Sequence, residues 1–146
     1  MIDHLIAVLN GDRSPGVYQL VTPINTEDLV TLSQEQGARL FYIDGTAVKS
    51  KADFLQAVAK ALTFPDYFGH NWDALEDCLT DLDWLTDDRL ILLYEQPETF
   101  AQHAPSEWLV ALDILRSTVD YWHTHDRSFS VFIKSSGTDL VGLDTL

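Results

Sequence analysis

The chain is organised around residues 64–82, which read FPDYFGHNWDALEDCLTDL. Pro65 disfavours helix in the residue before it, and Gly69 permits a tight turn. Asn71 is a favourable N-cap, because its side-chain oxygen can accept a hydrogen bond from a free amide in the first helical turn. The segment therefore predicts an aromatic loop that leads into a helix starting near Trp72.

The predicted helix has two chemically different faces. At about 100° per residue its apolar side chains form a stripe that can pack on a core; they are Trp72, Leu75, Cys78, Leu79 and Leu82. Asp73, Glu76 and Asp77 lie opposite, together with Thr80, at a spacing where like charges repel by about 0.2–0.5 kcal/mol per pair. The acids either bind a partner, or they interact favourably with the helix macrodipole and are simply part of a generally acidic protein. Helix geometry alone leaves both interpretations open.

Composition limits the class of protein. The 146 residues, 46% of them hydrophobic, predict one globular domain with a substantial core. Nine basic and 23 acidic residues give a net charge of −14, which repels nucleic acids and anionic membranes and attracts cationic partners. Nucleic-acid binding is not expected, because no basic patch is present to release phosphate counterions.

Cysteine content and the N-terminus give further expectations. Cys78 is the single cysteine, so no intramolecular disulfide or cysteine-based metal cluster is possible, and its helical phase predicts a buried thiol. The acidic run 81–88 lacks the glycine and final glutamate of an EF-hand, so no metal is expected, and no cofactor motif is present. The first 12 residues lack a basic segment and a membrane-length apolar run, which predicts a cytoplasmic protein.

The order of the other elements predicts an α/β fold with a small, mostly parallel sheet flanked by helices. Strands are expected at residues 16–21, 39–44, 89–95 and 129–136, and helices after Asn25 or Thr26, after Ser50 and from Pro105. The nearly continuous apolar run RLILLYE, residues 89–95, indicates a strand buried on both faces.

Two parts of the chain are distinguished along its length. Residues 1–37 form a predicted N-terminal extension packed on the same domain, and residues 38–146 form the main domain. Leu5–Leu9 is interpreted either as a small helix or as a loosely attached arm. The last ten residues are interpreted as a tail.

Residues 38–136 resemble the barstar family of intracellular ribonuclease inhibitors. The resemblance is carried by YIDG at residues 42–45, the helix capped by Ser50, and above all the run PDYFG-x-NWDAL-x-D-C-L at residues 65–79. It implies a small parallel sheet flanked by helices. It also implies an inhibitor that covers a nuclease active site with the acidic helix and the loop before it.

The resemblance also implies which residues contact the partner. Asp73 and Asp77 would take the place of RNA phosphates, and Tyr67 and Phe68 the place of stacked bases. The full set expected at the partner surface is Tyr67, Phe68, Gly69, Asn71, Asp73, Glu76, Asp77 and Thr80.

This chain departs from the family pattern at two positions. Glu76 and Leu82 stand where the best-known family member has tryptophan. A further acid is expected from the helix before the last strand, where Asp113 and Asp120 are both candidates.

The sequence bears on three functional classes. The chain carries no glycine-rich phosphate loop, HExxH sequence or nucleophile elbow, so an enzyme is not expected. The favoured interpretation is an inhibitor of a basic protein, a small secreted-type or toxin ribonuclease. The alternative is an acidic protein-binding module whose cationic partner is not a ribonuclease, because Glu76 and Leu82 alter the expected contact surface.

Overall fold

The structure is a computed structural model that describes residues 2–136 and 142–146. Its helices are α1 Ile2–Asn10, α2 Thr26–Glu35, α3 Lys51–Ala61, α4 Trp72–Leu79, α5 Pro97–His103 and α6 Pro105–His123, with a 3-10 turn at Gly45–Ala47. Its strands are β1 Val17–Gln19, β2 Arg39–Asp44, β3 Arg89–Glu95, β4 Ser128–Lys134 and β5 Asp144–Thr145.

The five strands form one sheet in the order β2-β3-β4-β1-β5. Every pairing between these strands is parallel. The central strand pairs are in simple register, with Asp44 opposite Glu95 and Glu95 opposite Lys134 at the carboxyl ends. The predicted α/β fold with a parallel sheet flanked by helices is confirmed.

Both faces of the sheet are buried, each in its own hydrophobic core. On β3, Leu90, Leu92 and Tyr94 contribute to one core, and Ile91 and Leu93 contribute to the other. The first core also contains buried residues of α3, α4, α5 and α6, and the second contains those of α1 and α2. This two-sided burial explains why the strand lacks the alternation of polar and apolar residues.

Three of the helices begin at a side-chain cap that their sequence supplies. The side chains of Asn25, Ser50 and Asn71 each accept a hydrogen bond from the backbone amide three residues later, at 2.8, 3.1 and 2.8 Å respectively. These caps satisfy amides that have no partner inside the helix and fix where α2, α3 and α4 start.

Residues 1–37 contribute to the same sheet as the rest of the chain. Leu5, Val8 and Leu9 of α1 are buried in the second core, so Leu5–Leu9 forms a helix and is not a loosely attached arm. β1 lies between β4 and β5 and pairs with both. How the chain divides into domains at position 37 stays a prediction.

The interpretation of the last ten residues as a tail is wrong for residues 142–146. Asp144–Thr145 forms β5, and Leu146 is buried in the second core, where its amide donates to the Gln19 carbonyl at 2.9 Å. Residues 137–141 lie outside the described part of the chain. Among the helices that the structure describes, none has the length and apolar character needed to cross a membrane.

Candidate functional site

The loop before α4 adopts a compact turn stabilised by its own polar groups. His70 has a left-handed backbone, with φ of 54°, so the strained position of the turn lies one residue after Gly69. The Phe68 carbonyl accepts a hydrogen bond from Nδ1 of His70 at 3.0 Å. A Cβ atom added at Gly69 would lie 3.3 Å from the side-chain Nδ2 of Asn71, so this glycine permits the close approach of the loop to the N-cap side chain.

α4 is fixed to the body of the protein by its apolar face. Leu75, Cys78 and Leu79 are buried. The Trp122 indole of α6 donates a hydrogen bond to the Leu79 carbonyl at 2.8 Å, near the end of the helix. Leu82, which the sequence places on the same stripe, lies beyond the helix in a left-handed conformation and is nevertheless fully buried.

Trp72 lies at the edge of the core, whereas its helical phase predicts a core residue. Its indole nitrogen donates to a Glu107 carboxylate oxygen at 3.2 Å, which links the start of α4 to the first turn of α6. The Lys51 ammonium lies 5.3 Å from the Trp72 ring centre, within cation–π range. The start of α4 is therefore held by neighbours on both sides.

The three acids of α4 are exposed together. Asp73, Glu76 and Asp77 all face solvent on the side of the helix opposite the core. Within the part of the chain that the structure describes, none of these carboxylates forms an ion pair. The backbone carbonyl of Glu76 accepts from the Thr80 hydroxyl at 2.8 Å, which closes the last turn. The face is therefore a set of exposed carboxylates on a helix that is fixed to the core, and these carboxylates can meet an external cation.

A groove separates this acidic face from α6. Its volume is about 530 Å³, and residues of both helices line it: Trp72, Asp73, Glu76, Val110, Asp113, Ile114, Arg116, Ser117 and Asp120. Both of the acids considered for the last long helix, Asp113 and Asp120, therefore lie on the groove. Arg116 places one cation among these acids.

The aromatic residues of the loop differ in exposure. Tyr67 is 73% exposed, whereas Phe68 is only 6% exposed and packs edge-on against Phe64. The pKa of the Tyr67 phenol is raised, first by desolvation and then by the negative charge of Asp81, so the ring is neutral at pH 7. Tyr67 can offer an aromatic surface to a partner, but the Phe68 ring faces inward and supports the loop.

Cys78 does not contribute reactive chemistry to this surface. Its thiol is buried, and burial followed by the charges of Asp81 and Asp77 raises its pKa. A raised pKa leaves less of the nucleophilic thiolate at neutral pH. Within residues 2–136 and 142–146, no group of three or more His, Cys, Asp or Glu side chains is arranged to hold a metal ion.

Sequence reasoning missed Lys51 and the groove. Lys51 lines a shallow depression with Asn71, Trp72, Asp73, Ala74 and Asp77, so a cation of α3 borders the acids of α4. Neither feature has a local sequence signal, because each depends on how helices distant in the sequence pack together.

A solved structure with a similar fold is that of the Aeropyrum pernix ORC2 protein, determined as ADPNP–ADP complexes. The two chains superpose with a TM-score of 0.51 and 10% sequence identity. The match covers 92% of this chain and 38% of that one, so this chain spans well under half of its length. At this identity the similarity concerns the fold alone.

Sequence comparison identifies the family. The matching family model is described as barstar (barnase inhibitor) and covers residues 38–134, which include the loop, the acidic helix and the groove. The match extends over more than half of the chain. The chain belongs to the barstar family.

Proposed function

We propose that this protein inhibits a ribonuclease by covering its basic active site with α4 and the loop before it. The observation that carries the proposal is the exposed set Asp73, Glu76 and Asp77, which has no ion-pair partner among the described residues and stands on a helix whose opposite face is buried in the core. A chain in a family of barnase inhibitors that carries such a surface is suited to bind a protein with a cationic cleft.

The chemistry of RNA binding explains why carboxylates would suffice. A ribonuclease holds its substrate through cations that contact phosphates, so carboxylates at similar positions can take the place of those phosphates. The fixed position of α4 matters here, because a backbone that is already ordered before binding loses little conformational entropy on complex formation. Asp113 and Asp120, across the groove, would extend the negative surface around a protruding basic group.

Residues of the loop would have supporting and contacting roles. Tyr67 would place its exposed ring against the partner, while Gly69 and Asn71 would keep the loop in the shape that presents it. Thr80, at the end of α4, would lie at the border of the surface. Phe68 would act through its packing, since its ring is buried.

The remaining expectations complete the proposal. With a net charge of −14, the protein would attract a basic partner over a distance and raise the rate of encounter. It would act in the cytoplasm as a binding protein without catalytic activity, protecting cellular RNA from a small secreted-type or toxin ribonuclease. Residues 1–37 would act as an extension that covers the second face of the sheet.

A second candidate is an acidic module that binds a cationic partner other than a ribonuclease. The residues Glu76 and Leu82 favour it, because they stand where the resemblance predicts tryptophan. Glu76 exposes an acid in place of an indole, and Leu82 is fully buried and offers no contact surface. The experiment below separates the two functions.

The test is inhibition of RNA cleavage by barnase and by a panel of other small basic microbial ribonucleases. We expect the wild-type protein to inhibit at least one of them. The double variant Asp73→Ala/Asp77→Ala should lose at least a hundredfold in inhibition constant while unfolding at nearly the wild-type temperature, because both positions are exposed.

The matched control is Asp3→Ala/Asp12→Ala, which removes the same charge from exposed positions in the N-terminal segment. It should inhibit like the wild type apart from a small loss in association rate. Equal losses in both double variants would mean that only net charge matters, and that α4 has no specific role. If no ribonuclease is inhibited but a basic protein binds in an α4-dependent way, the second candidate replaces the first.

A further inference from the structure

The exposed face of α4 offers carboxylates but almost no apolar surface. Its apolar residues Leu75, Cys78 and Leu79 are buried in the core. Leu82 and Phe68, which flank the helix in sequence, are buried as well. A partner that docked on α4 alone would therefore meet mainly charged groups.

A purely charged contact seldom gives a tight complex. Complementary charges raise the rate of association and penalise wrong partners, whereas a few buried apolar or aromatic side chains near the centre supply most of the affinity. Apolar contacts with a partner would therefore have to come from the surface beside α4.

Exposed apolar side chains are found on the far side of the groove. Leu109 and Val110, consecutive residues of α6, are 62% and 39% exposed. Val110 lines the groove together with Trp72 and Glu76, so it borders the acidic face directly. Leu109 lies four residues before Asp113, on the same side of the helix as that acid.

The helix beneath this pair is fixed in the core. Trp108, Ala111 and Leu115 are buried on the core side of α6, and the hydrogen bond from Trp72 to Glu107 joins its first turn to α4. Leu109 and Val110 therefore project from a rigid support, as affinity-determining residues of an interface usually do.

We propose that Leu109 and Val110 form the apolar anchor of the partner surface, which crosses the groove from α4 to the first half of α6. The partner is a basic protein that inserts a cationic side chain between the two helices and carries an apolar patch next to that cation. Charge complementarity with Asp73, Glu76 and Asp113 sets its orientation. The inference rests on the proposed function and specifies the chemistry of that partner.

The test measures the dissociation constant for whichever ribonuclease of the panel the wild-type protein inhibits. Leu109→Ala/Val110→Ala should weaken binding by about ten- to a hundredfold. Because no charge changes, the dependence of affinity on salt should keep the wild-type slope. Alanine favours helix at both exposed positions, so the melting temperature should stay close to that of the wild type.

The matched control is Ile2→Ala/Val21→Ala. These side chains are 44% and 57% exposed and belong to the N-terminal segment, so the variant removes comparable apolar surface elsewhere. It should bind like the wild type.

The outcomes separate the two proposals. A Leu109→Ala/Val110→Ala variant that binds within twofold of the wild type, while Asp73→Ala/Asp77→Ala does not bind, overturns the apolar anchor and leaves the inhibitor proposal standing. Equal losses in the anchor variant and in its control also overturn the anchor. If the wild type binds none of the ribonucleases, the proposed function fails and the inference falls with it.

Discussion

Arg89, the first residue of β3, connects the N-terminal segment to the centre of the sheet. Its Nη1 atom donates hydrogen bonds to the Leu9 carbonyl at 2.9 Å and to the Gln36 carbonyl at 3.0 Å. Leu9 is near the end of α1, and Gln36 is the C-cap of α2. One guanidinium thus satisfies carbonyls at the ends of two helices, where carbonyls lack partners within the helix.

We predict that Arg89→Met destabilises the protein by about 2–4 kcal/mol. A hydrogen bond from a charged donor contributes about 1.5–3 kcal/mol, and the estimate allows for water reaching part of the released carbonyls. Methionine keeps much of the aliphatic packing, so the loss reports mainly on the hydrogen bonds. With a urea dependence of about 2 kcal/mol per molar, the unfolding midpoint should fall by about 1–2 M.

Arg39→Met is the matched control. Arg39 begins the neighbouring strand, and its ion pair with Asp87, at 3.1 Å, joins side chains that are 51% and 37% exposed. Such a pair contributes about 0–1 kcal/mol. Urea unfolding should therefore separate the two variants clearly, and hydrogen exchange should show faster opening of α1 only for Arg89→Met. Equal destabilisation by both variants would refute the role assigned to Arg89.

Two further predictions concern the core. Leu79→Ala, at a fully buried position of α4, should lower the free energy of unfolding by about 2–5 kcal/mol in chemical denaturation. Under conditions where the variant is folded, it should keep most of its affinity for the partner. An unchanged free energy of unfolding would mean that α4 packs differently. Burial raises the pKa of Tyr94, whose hydroxyl has no hydrogen-bond partner among the described residues. Stability should therefore be complete below the unfolded tyrosine pKa of about 10 and decline above it by about 1.4 kcal/mol per pH unit. Tyr94→Phe should be as stable as the wild type at pH 7 and remain folded to higher pH in an alkaline titration followed by circular dichroism; earlier alkaline unfolding would contradict this account.

The features that sequence predicted well are those set by neighbouring residues. Asn71 could be assigned as an N-cap because capping depends on a short side chain and an amide three residues away. The strand Arg89–Glu95 could be recognised because burial on both faces leaves a continuous apolar run. Both signals are contained within a few consecutive positions.

The features that sequence did not predict depend on distant residues. Phe68 has the same aromatic character as Tyr67, and only the packing of Phe64 against its ring shows that it faces inward. Leu146 lies beyond any predicted element, yet its amide donates to the Gln19 carbonyl of β1, because without the C-terminal segment β1 would be the edge strand of the sheet. The groove likewise exists only because α4 and α6, far apart in sequence, pack side by side.

The helices on the two faces of the sheet have different roles in this proposal. The proposed partner surface lies on α4 and α6, which pack on one face, while α1 and α2 cover the other. Without that second cover, Ile91, Leu93 and Phe132 would lie exposed on the central strands, at a cost of about 25 cal/mol for each Å² of apolar surface left in water. The N-terminal segment therefore stabilises the sheet on which α4 and α6 pack, and none of its described residues lines the groove. Substitutions in that segment should change how much of the protein is folded, whereas substitutions on α4 and α6 should change how tightly the folded protein binds.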